Sequence, residues 1–334
     1  MASLKEYFNQ FDDLHVMVIG DIMIDSYLWG TVNRISPEAP VPIVNVAKRE
    51  KRLGGAANVA LNLKAMGAKP HLIALIGDDK DGDDMLQLFK EVSFSEEGIF
   101  RSKDRPTTIK HRVIGGSQQL LRVDAEDSKS SSGKEREELK SRIAKTIDKC
   151  HAVIFEDYDK GVIDKELIDY TVELCRDRNI PVSVDPKKRN FLEYKRVDLF
   201  KPNLKETREG LNLQINPAEI MSLNFASEEL RKHLGHKITL MTLSENGVYI
   251  DGKDKKIIPA HKREISDVSG AGDTVISVAC LCLALKIEES LIAELSNLAG
   301  GQVCEHVGVV PVDKEQLYQE AMESLDLRKY GLDG

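Results

Sequence analysis

At about 150 residues per domain, the 334 residues of the chain make two domains or one large α/β domain. Hydrophobic residues at 41% and charged residues at 31% exclude disorder, collagen and coiled coil. A balance of 47 Lys and Arg against 55 Asp and Glu, net −8, argues against a nucleic-acid partner and leaves anionic small molecules to be held by local basic clusters.

In chain order, the N-terminal residues show no charged-then-apolar leader pattern. Residues 15–19 form the first compact apolar run, closing on Gly20 and Asp21. A strand-like run at 41–46 follows, then a helical pattern at 56–66, a strand at 72–76 and a helix at 83–92. Two further strand-like runs lie between Thr107 and Asp124, on either side of Gly115 and Gly116, a good hairpin signal. With 41–46 they predict a small β appendage, bounded at about 31–48 and 105–125, which could serve as a lid. The polar stretch 126–138 reads as a solvated loop leading into a helix at 135–148. Strands at 152–155, 182–184, 199–200 and 238–243 then alternate with helices at 165–178, 227–234 and 271–285. Helices closing on Gly67 and Gly235 carry a common C-terminal signal. Short apolar strands alternating with helices predict a doubly wound, mostly parallel sheet covered on both faces.

Five cysteines (Cys150, Cys175, Cys280, Cys282 and Cys304) show no CxxC spacing. That argues against a zinc site or a disulfide scaffold and fits a reducing cytoplasm. The longest nearly apolar stretch, 275–285, is too short to span a bilayer, so no membrane partner is expected.

The chemistry concentrates between Asp267 and Thr274, directly before that apolar helix. Gly270 and Gly272 let the backbone approach a ligand closely, and the free N–H groups of a helix start make an anion site. A carboxylate at Asp273 would repel phosphate. It makes sense if Asp273 takes a proton from, or orients, a hydroxyl that attacks a phosphoryl group. The plain alternative is a glycine turn with Asp273 as helix N-cap. Other patterns are decoys. His233 and His236 match the HxGH of nucleotidyltransferases but lie between a late helix and a strand, where Gly235 reads as a helix terminator. The acidic run 78–84 lacks the glutamate of a calcium loop, since Leu88 stands in its place. Gly270 and Gly272 lack the third glycine of a dinucleotide fingerprint, and Gly133-Lys134 runs into Glu135, so ATP chemistry here is of a non-P-loop type.

These residues resemble, in order, the motifs of the ribokinase-like (phosphofructokinase-B type) sugar kinases. Gly270 to Asp273, with Asp267 upstream, is similar to the family's C-terminal signature. Gly54, Gly55 and Asn58 resemble its N-terminal glycine motif, and Gly20, Asp21 and Asp25 the strand end that holds sugar hydroxyls. Residues 77–82 fit its GxDxxG, 201–206 its PNxxE element and 242–247 its nucleotide loop, while Asn297 and Gly308 sit where the purine pocket closes. The resemblance spans about residues 14–312. It implies a ribokinase-like α/β fold, one kinase domain over 1–334 with a β-sheet lid, ATP and Mg2+ as cofactors, and a homodimer clasped through the lids. A monovalent-cation requirement stays open. It implies Asp273 as the catalytic group, with N–H donors from Gly270, Ala271, Gly272 and Asp273 on the transferred phosphoryl. Asp25, Gly54, Gly55 and Asn58 would meet the sugar; for Asp25 and Asn58 the plain readings are a strand-end turn and a helix cap. Asn203, Glu206, Thr242, Ser244, Gly247, Asp267, Gly270, Gly272 and Asn297 would meet the nucleotide, Asn203 and Glu206 acting through water on Mg2+. For those two the plain reading is a loop-to-helix cap.

A narrower likeness, at 34–43, 52–60, 118–122, 157–161 and 185–187, is to the heptose 7-phosphate kinases of this family. It implies phosphorylation of the anomeric hydroxyl to the 1,7-bisphosphate, for lipopolysaccharide core sugars. A sugar phosphate needs a basic pocket despite the net negative charge. Lys110 and Arg112 alternate on one strand and share a face, Arg122 lies on the partner strand, and Lys160 and Lys187 follow strand ends. Each alone reads as a solvated residue, and the sequence does not rank them. Kinases of fructose, ribose or fructose 1-phosphate, a catalytically silent binding homologue, and a nucleotidyltransferase at His233 and His236 remain as alternatives. ADP release, no release, or pyrophosphate release tells kinase, binder and nucleotidyltransferase apart. The motifs from Gly20 to Gly308 use nearly the whole chain, so a stand-alone kinase is expected.

Overall fold

Most of the apolar runs of the sequence become the strands of one large sheet. In the computed structural model, which describes residues 3–116 and 118–332, α1 (Leu4–Gln10) leads into β1 (His15–Gly20). Two long strands, β2 (Ile22–Ile35) and β3 (Pro42–Gly55), precede α2 (Ala56–Ala65), β4 (Lys69–Gly77), α3 (Lys80–Glu91) and β5 (Ile99–Ser102). The hairpin strands β6 (Ile109–Gly115) and β7 (Gln118–Ala125) follow, then α4 (Gly133–Thr146), β8 (Ala152–Glu156), α5 (Lys165–Asp177), β9 (Val182–Asp185), β10 (Leu199–Phe200) and α6 (Leu204–Leu211). The last third runs α7 (Ile220–Leu234), β11 (Ile238–Thr242), β12 (Val248–Asp251), β13 (Lys255–Ile258), α8 (Ala271–Ala284), α9 (Glu289–Val303) and α10 (Lys314–Ser324).

The nine-stranded sheet has the order β13-β12-β11-β10-β9-β8-β1-β4-β5 and is parallel except where β12 and β13 close one edge. β1, near its middle, shows why its sequence is a continuous apolar run. Val16 and Val18 pack into one core with α2 and α8, while Met17 and Ile19 pack into a second core with Leu139, Phe155 and Leu167 on the other face. The four-stranded second sheet, β3-β2-β6-β7, stands apart from the first.

This second sheet is larger than the 31–48 and 105–125 bounds read from the sequence. β2 starts at Ile22, and β3 runs on to Gly55, well beyond the apolar 41–46 stretch. Their polar halves, including residues 48–52, are held as strand by cross-strand pairing rather than by burial, so they carry no apolar signal. Asp25 therefore sits within a long strand, not at a strand end. The hairpin turn read around Gly115 and Gly116 borders Ser117, which lies outside the described residues. β5, β12, β13, α9 and α10 also escaped the sequence reading, α6 was foreseen only through its cap at Asn203 and Glu206, and α7 starts at Ile220 rather than 227. α9 is buried almost all round, which erases the one-sided periodicity that marks a surface helix.

Gly235 ends α7 in the left-handed conformation, φ 63°, as its terminator reading requires. His236 is buried, its Nε2 is 2.6 Å from Thr239 Oγ1, and burial pushes its pKa down to about 4. It is a neutral core histidine, which removes the nucleotidyltransferase reading. All five cysteines are free and buried. No helix among the described residues is long and apolar enough to cross a membrane.

Candidate active site

Asp273 is where the strand ends and the helix start meet. It lies in the first turn of α8, 6% exposed, and Gly270, not Asp273, occupies the cap position with φ 82°. Only a glycine takes that backbone conformation without strain, and it aims the helix start at the sheet. The Asp273 side chain caps nothing. Its Oδ2 accepts from Asn58 Nδ2 at 2.7 Å and its Oδ1 from the Tyr158 hydroxyl at 2.8 Å. Burial raises its pKa to about 6, against the lowering effect of these two donors. The N–H groups of Gly270, Gly272 and Asp273 have no acceptor among the described residues, while that of Ala271 is turned to the Val268 carbonyl at 3.3 Å. A carboxylate sits beside free helix N–H groups. The first can accept a proton, and the second can hold an anion.

Asn58 is brought in by α2, whose start is fixed by Gly55 at φ 60° and by the Ala56 N–H on the Asp21 carbonyl at 3.0 Å. Its side chain is spent on Asp273 rather than on a cap. A Cβ at Gly54 would collide with the Asp25 carboxylate, so this glycine is what lets Asp25 approach β3. Asp25 is 4% exposed and ion-paired with Arg112, which stands on β6 two positions beyond Lys110, the register partner of Asp25.

Tyr158 was missed in the sequence. It sits on the loop after β8, and Asp21 fastens that loop: its carboxylate accepts from Tyr158 N at 2.9 Å, Lys160 N at 3.1 Å and Val162 N at 3.1 Å. Glu156 and Asp185 were missed too. They are register partners at the ends of β8 and β9. One oxygen of each lies within 4.8 Å of the other and of an Asp273 oxygen. Lys201 Nζ pairs with Asp185 Oδ2 at 2.8 Å, both buried. Glu156 Oε2 is buried with no partner among the described residues, and burial with the nearby Asp185 and Asp273 charges pushes its pKa well up. A carboxylate closing each of two adjacent apolar runs was the available signal, since ligands gather at the carboxyl ends of such strands. This all-oxygen donor set, with one orphaned oxygen, fits a hard cation such as Mg2+.

Asn203 and Glu206 form a capping box at the start of α6: Asn203 Oδ1 accepts from Glu206 N, and Glu206 Oε2 from Asn203 N, each at 2.8 Å. Glu206 also pairs with Lys187, so the cap reading is realised here. Thr242 adjoins Asn203 through a parallel bridge. Ser244, φ 53°, and Gly247, φ 88°, form the turn after it, where a Cβ on Gly247 would collide with the Ile258 carbonyl. Asn297 Nδ2 donates to the Pro259 carbonyl at 2.8 Å, so it converges on the same segment from α9. Asp267 lies on the other side of the α8 start. It accepts from Ser269 N at 3.0 Å and from Gly308 N at 2.9 Å, bonds that hold its pKa low against burial.

The basic residues divide. Lys110 and Lys187 lie over the Tyr158 ring, 5.9 and 5.5 Å from its centroid. Lys160 pairs with Glu126 at 2.7 Å. Arg122 pairs with Asp124 at 3.0 Å, its side chain 52% exposed on the edge strand, and is not brought to Asp273. Arg52, which the sequence reading did not single out as a site residue, lies over the Tyr27 ring opposite Arg112, at 5.2 and 5.3 Å.

The sequence pattern of the pfkB family carbohydrate kinases matches residues 13–315. Proteins named bifunctional protein HldE from Sulfurimonas denitrificans and Methylobacillus flagellatus are 40% identical over 304 residues and 38% over 322. The matches cover 90% and 96% of this chain but 63% and 65% of the relatives, so the chain spans less than two thirds of their length. Among solved structures, phosphofructokinase-2 from Escherichia coli in complex with potassium aligns with TM-score 0.74 at 16% identity, over 92% of this chain and 99% of that one. Arabidopsis thaliana ribokinase complexed with ribose and ATP aligns with TM-score 0.70 at 14% identity, over 93% and 99%. At such identity the likeness establishes the fold, ribokinase-like α/β.

Proposed function

The chain belongs to the pfkB family of carbohydrate kinases, and from that premise we propose that it transfers the γ-phosphoryl group of ATP to the anomeric hydroxyl of a heptose 7-phosphate. The coarser activity, a phosphotransferase acting on a sugar hydroxyl, comes with the family. The observation that carries the mechanism is the buried Asp273 beside unpartnered helix N–H groups.

In this reading the sugar hydroxyl donates to Asp273. As its oxygen bonds to the γ-phosphorus and the bond to ADP breaks, the proton passes to the Asp273 carboxylate. The N–H groups of Gly270, Gly272 and Asp273 take up charge developing on the phosphoryl oxygens, a contribution of about 3 kcal/mol for one well-placed donor. Asp25 and Asn58 orient the sugar, and Thr242, Ser244, Gly247, Asp267 and Asn297 frame the nucleotide. Glu156 and Asp185, with Asn203 and Glu206 through water, are the residues to hold Mg2+, which supplies charge neutralisation and alignment of the nucleotide phosphates when bound. The four-stranded sheet acts as the lid of one kinase domain and excludes water from the reacting phosphoryl.

The heptose 7-phosphate assignment is supported by the residues shared with heptose 7-phosphate kinases and by the identity to the HldE proteins. The product would feed lipopolysaccharide core synthesis, in the cytoplasm. A homodimer through the lids is supported by Leu121 and Val123, 55% and 50% exposed on the outer face of the second sheet. ADP release measured across a panel of sugars and sugar phosphates tests the reading. Heptose 7-phosphate should give the highest kcat/KM; turnover of neutral hexoses or pentoses alone would overturn it.

A further inference from the structure

The second sheet reaches the start of α8 through Arg52. This residue stands on β3 as the register partner of Asp25, so the two share one face of the sheet. Its guanidinium is fixed from three sides. It lies over the Tyr27 ring at 5.2 Å, its Nε donates to Glu50 Oε1 at 2.7 Å, and its Nη1 donates to the Val309 carbonyl at 3.4 Å. Among the described residues, that last contact is the one hydrogen bond between the second sheet and the chain beyond residue 240. Gly308 makes room for it: its φ is 77°, and a Cβ there would lie 2.5 Å from Arg52 Nη1. The same turn buttresses the helix start. Gly308 N donates to Asp267 Oδ2 at 2.9 Å, and Asp267 N donates to the Cys304 carbonyl at 3.2 Å. Val309 lies so close to Gly270 that a Cβ on that glycine would meet its Cγ1 at 3.3 Å.

We propose that Arg52 is a positioning residue that couples the two substrate sites. Through the 304–309 turn it makes sugar binding at the second sheet and nucleotide binding at the start of α8 strengthen one another. A planar guanidinium held by a ring, a carboxylate and a carbonyl is a rigid strut, which an ammonium on a flexible stem is not. A sugar held by Asp25 fixes β2 and β3, and with them Arg52. Arg52 then holds the Val309 carbonyl, and with it the turn that sets Asp267 and Gly270. A nucleotide that needs the same turn in place meets it already set, and linkage makes the effect reciprocal. Arg52 acts through the turn and on neither ligand directly. The inference rests on the sugar and nucleotide sites assigned above and adds how one is felt at the other.

The test is calorimetric titration of wild type, Arg52→Met, Arg52→Lys and Glu50→Gln with heptose 7-phosphate, alone and with saturating ADP and Mg2+. ADP lacks the phosphoryl group that would meet the sugar, so any coupling it shows runs through the protein. In wild type, ADP should tighten sugar binding about fivefold or more. In Arg52→Met that gain should shrink below about twofold, with the affinities for sugar alone and for ADP alone unchanged. Arg52→Lys should not restore it, because the ammonium keeps the charge and loses the fork. Glu50→Gln keeps Arg52 but loosens it, should give an intermediate gain, and decides the matter if Arg52→Met does not fold. No gain in wild type, or an undiminished gain in Arg52→Met or Glu50→Gln, overturns the coupling. So does an equal loss of sugar affinity with and without ADP, which would make Arg52 a sugar contact. Full restoration in Arg52→Lys overturns it too, since charge alone would then suffice. If heptose 7-phosphate does not bind wild type, that substrate reading fails by itself. The titration is then run with the sugar giving the highest ADP release, and the same outcomes decide.

Discussion

In the proposed reaction Asp273 answers two opposing demands: it must be buried to meet a phosphoryl group away from water, and ionised to take a proton. Burial puts its pKa at about 6, and the donors Asn58 and Tyr158 keep it from rising further. The base form is lost as pH falls, so kcat/KM for the sugar should be level above about pH 7 and fall about tenfold per unit below about pH 5. A profile flat down to about pH 4 would contradict that role. Asp273→Asn should cost about 10²- to 10⁴-fold in turnover while leaving nucleotide binding intact by calorimetry. Near-normal turnover would remove it as the base. Tyr158→Phe withdraws a donor that favours the ionised form, so the acid limb should move to higher pH by up to about one unit; an unmoved limb would leave Tyr158 with a packing role only. The sequence exposed Asp273 through its glycines. It concealed Tyr158, whose place depends on Asp21 fastening a loop more than a hundred positions away in the chain.

At the scale of elements, the start of α8 separates what the fold needs from what the chemistry needs. A Cβ on Gly272 would meet only Lys201 Nζ at 3.5 Å and Asp185 Oδ2 at 3.7 Å, ordinary contacts. Gly272→Ala should therefore fold with an unchanged or slightly raised melting temperature, since alanine favours helix, yet lose at least about tenfold in turnover because the methyl group fills the space beside the N–H donors. A variant that is both stable and fully active would show that the space is not used. Gly54→Ala differs, because its Cβ collides with the Asp25 carboxylate. Its expected effect is a raised KM for the sugar with KM for ATP unchanged. Helix starts and stops such as Gly235 and the cap of α6 were legible because they depend on neighbours in sequence. The polar halves of β2 and β3 were not, because their strand character comes from each other.

For the whole molecule, the two sheets have different faces and different fates. The large sheet is covered by helices on both sides. The second sheet keeps Leu121 and Val123 exposed beside a cavity of about 500 Å³ lined by Ser26, Leu28, Arg49 and His111. Sedimentation should give a dimer for wild type and a monomer for the Leu121→Glu, Val123→Glu double variant; a monomeric wild type would sink the lid-to-lid assembly. By itself the sequence determined the α/β class, the parallel sheet and the glycine-rich start of α8, because alternation of apolar runs and local backbone freedom are written in adjacent residues. Only the tertiary structure decided that Glu156 and Asp185 stand beside Asp273 and that Asn58 and Tyr158 donate to it. Those relations depend on strand register and on which charges meet across elements. Neither is fixed until the sheets have formed and water has been excluded between them.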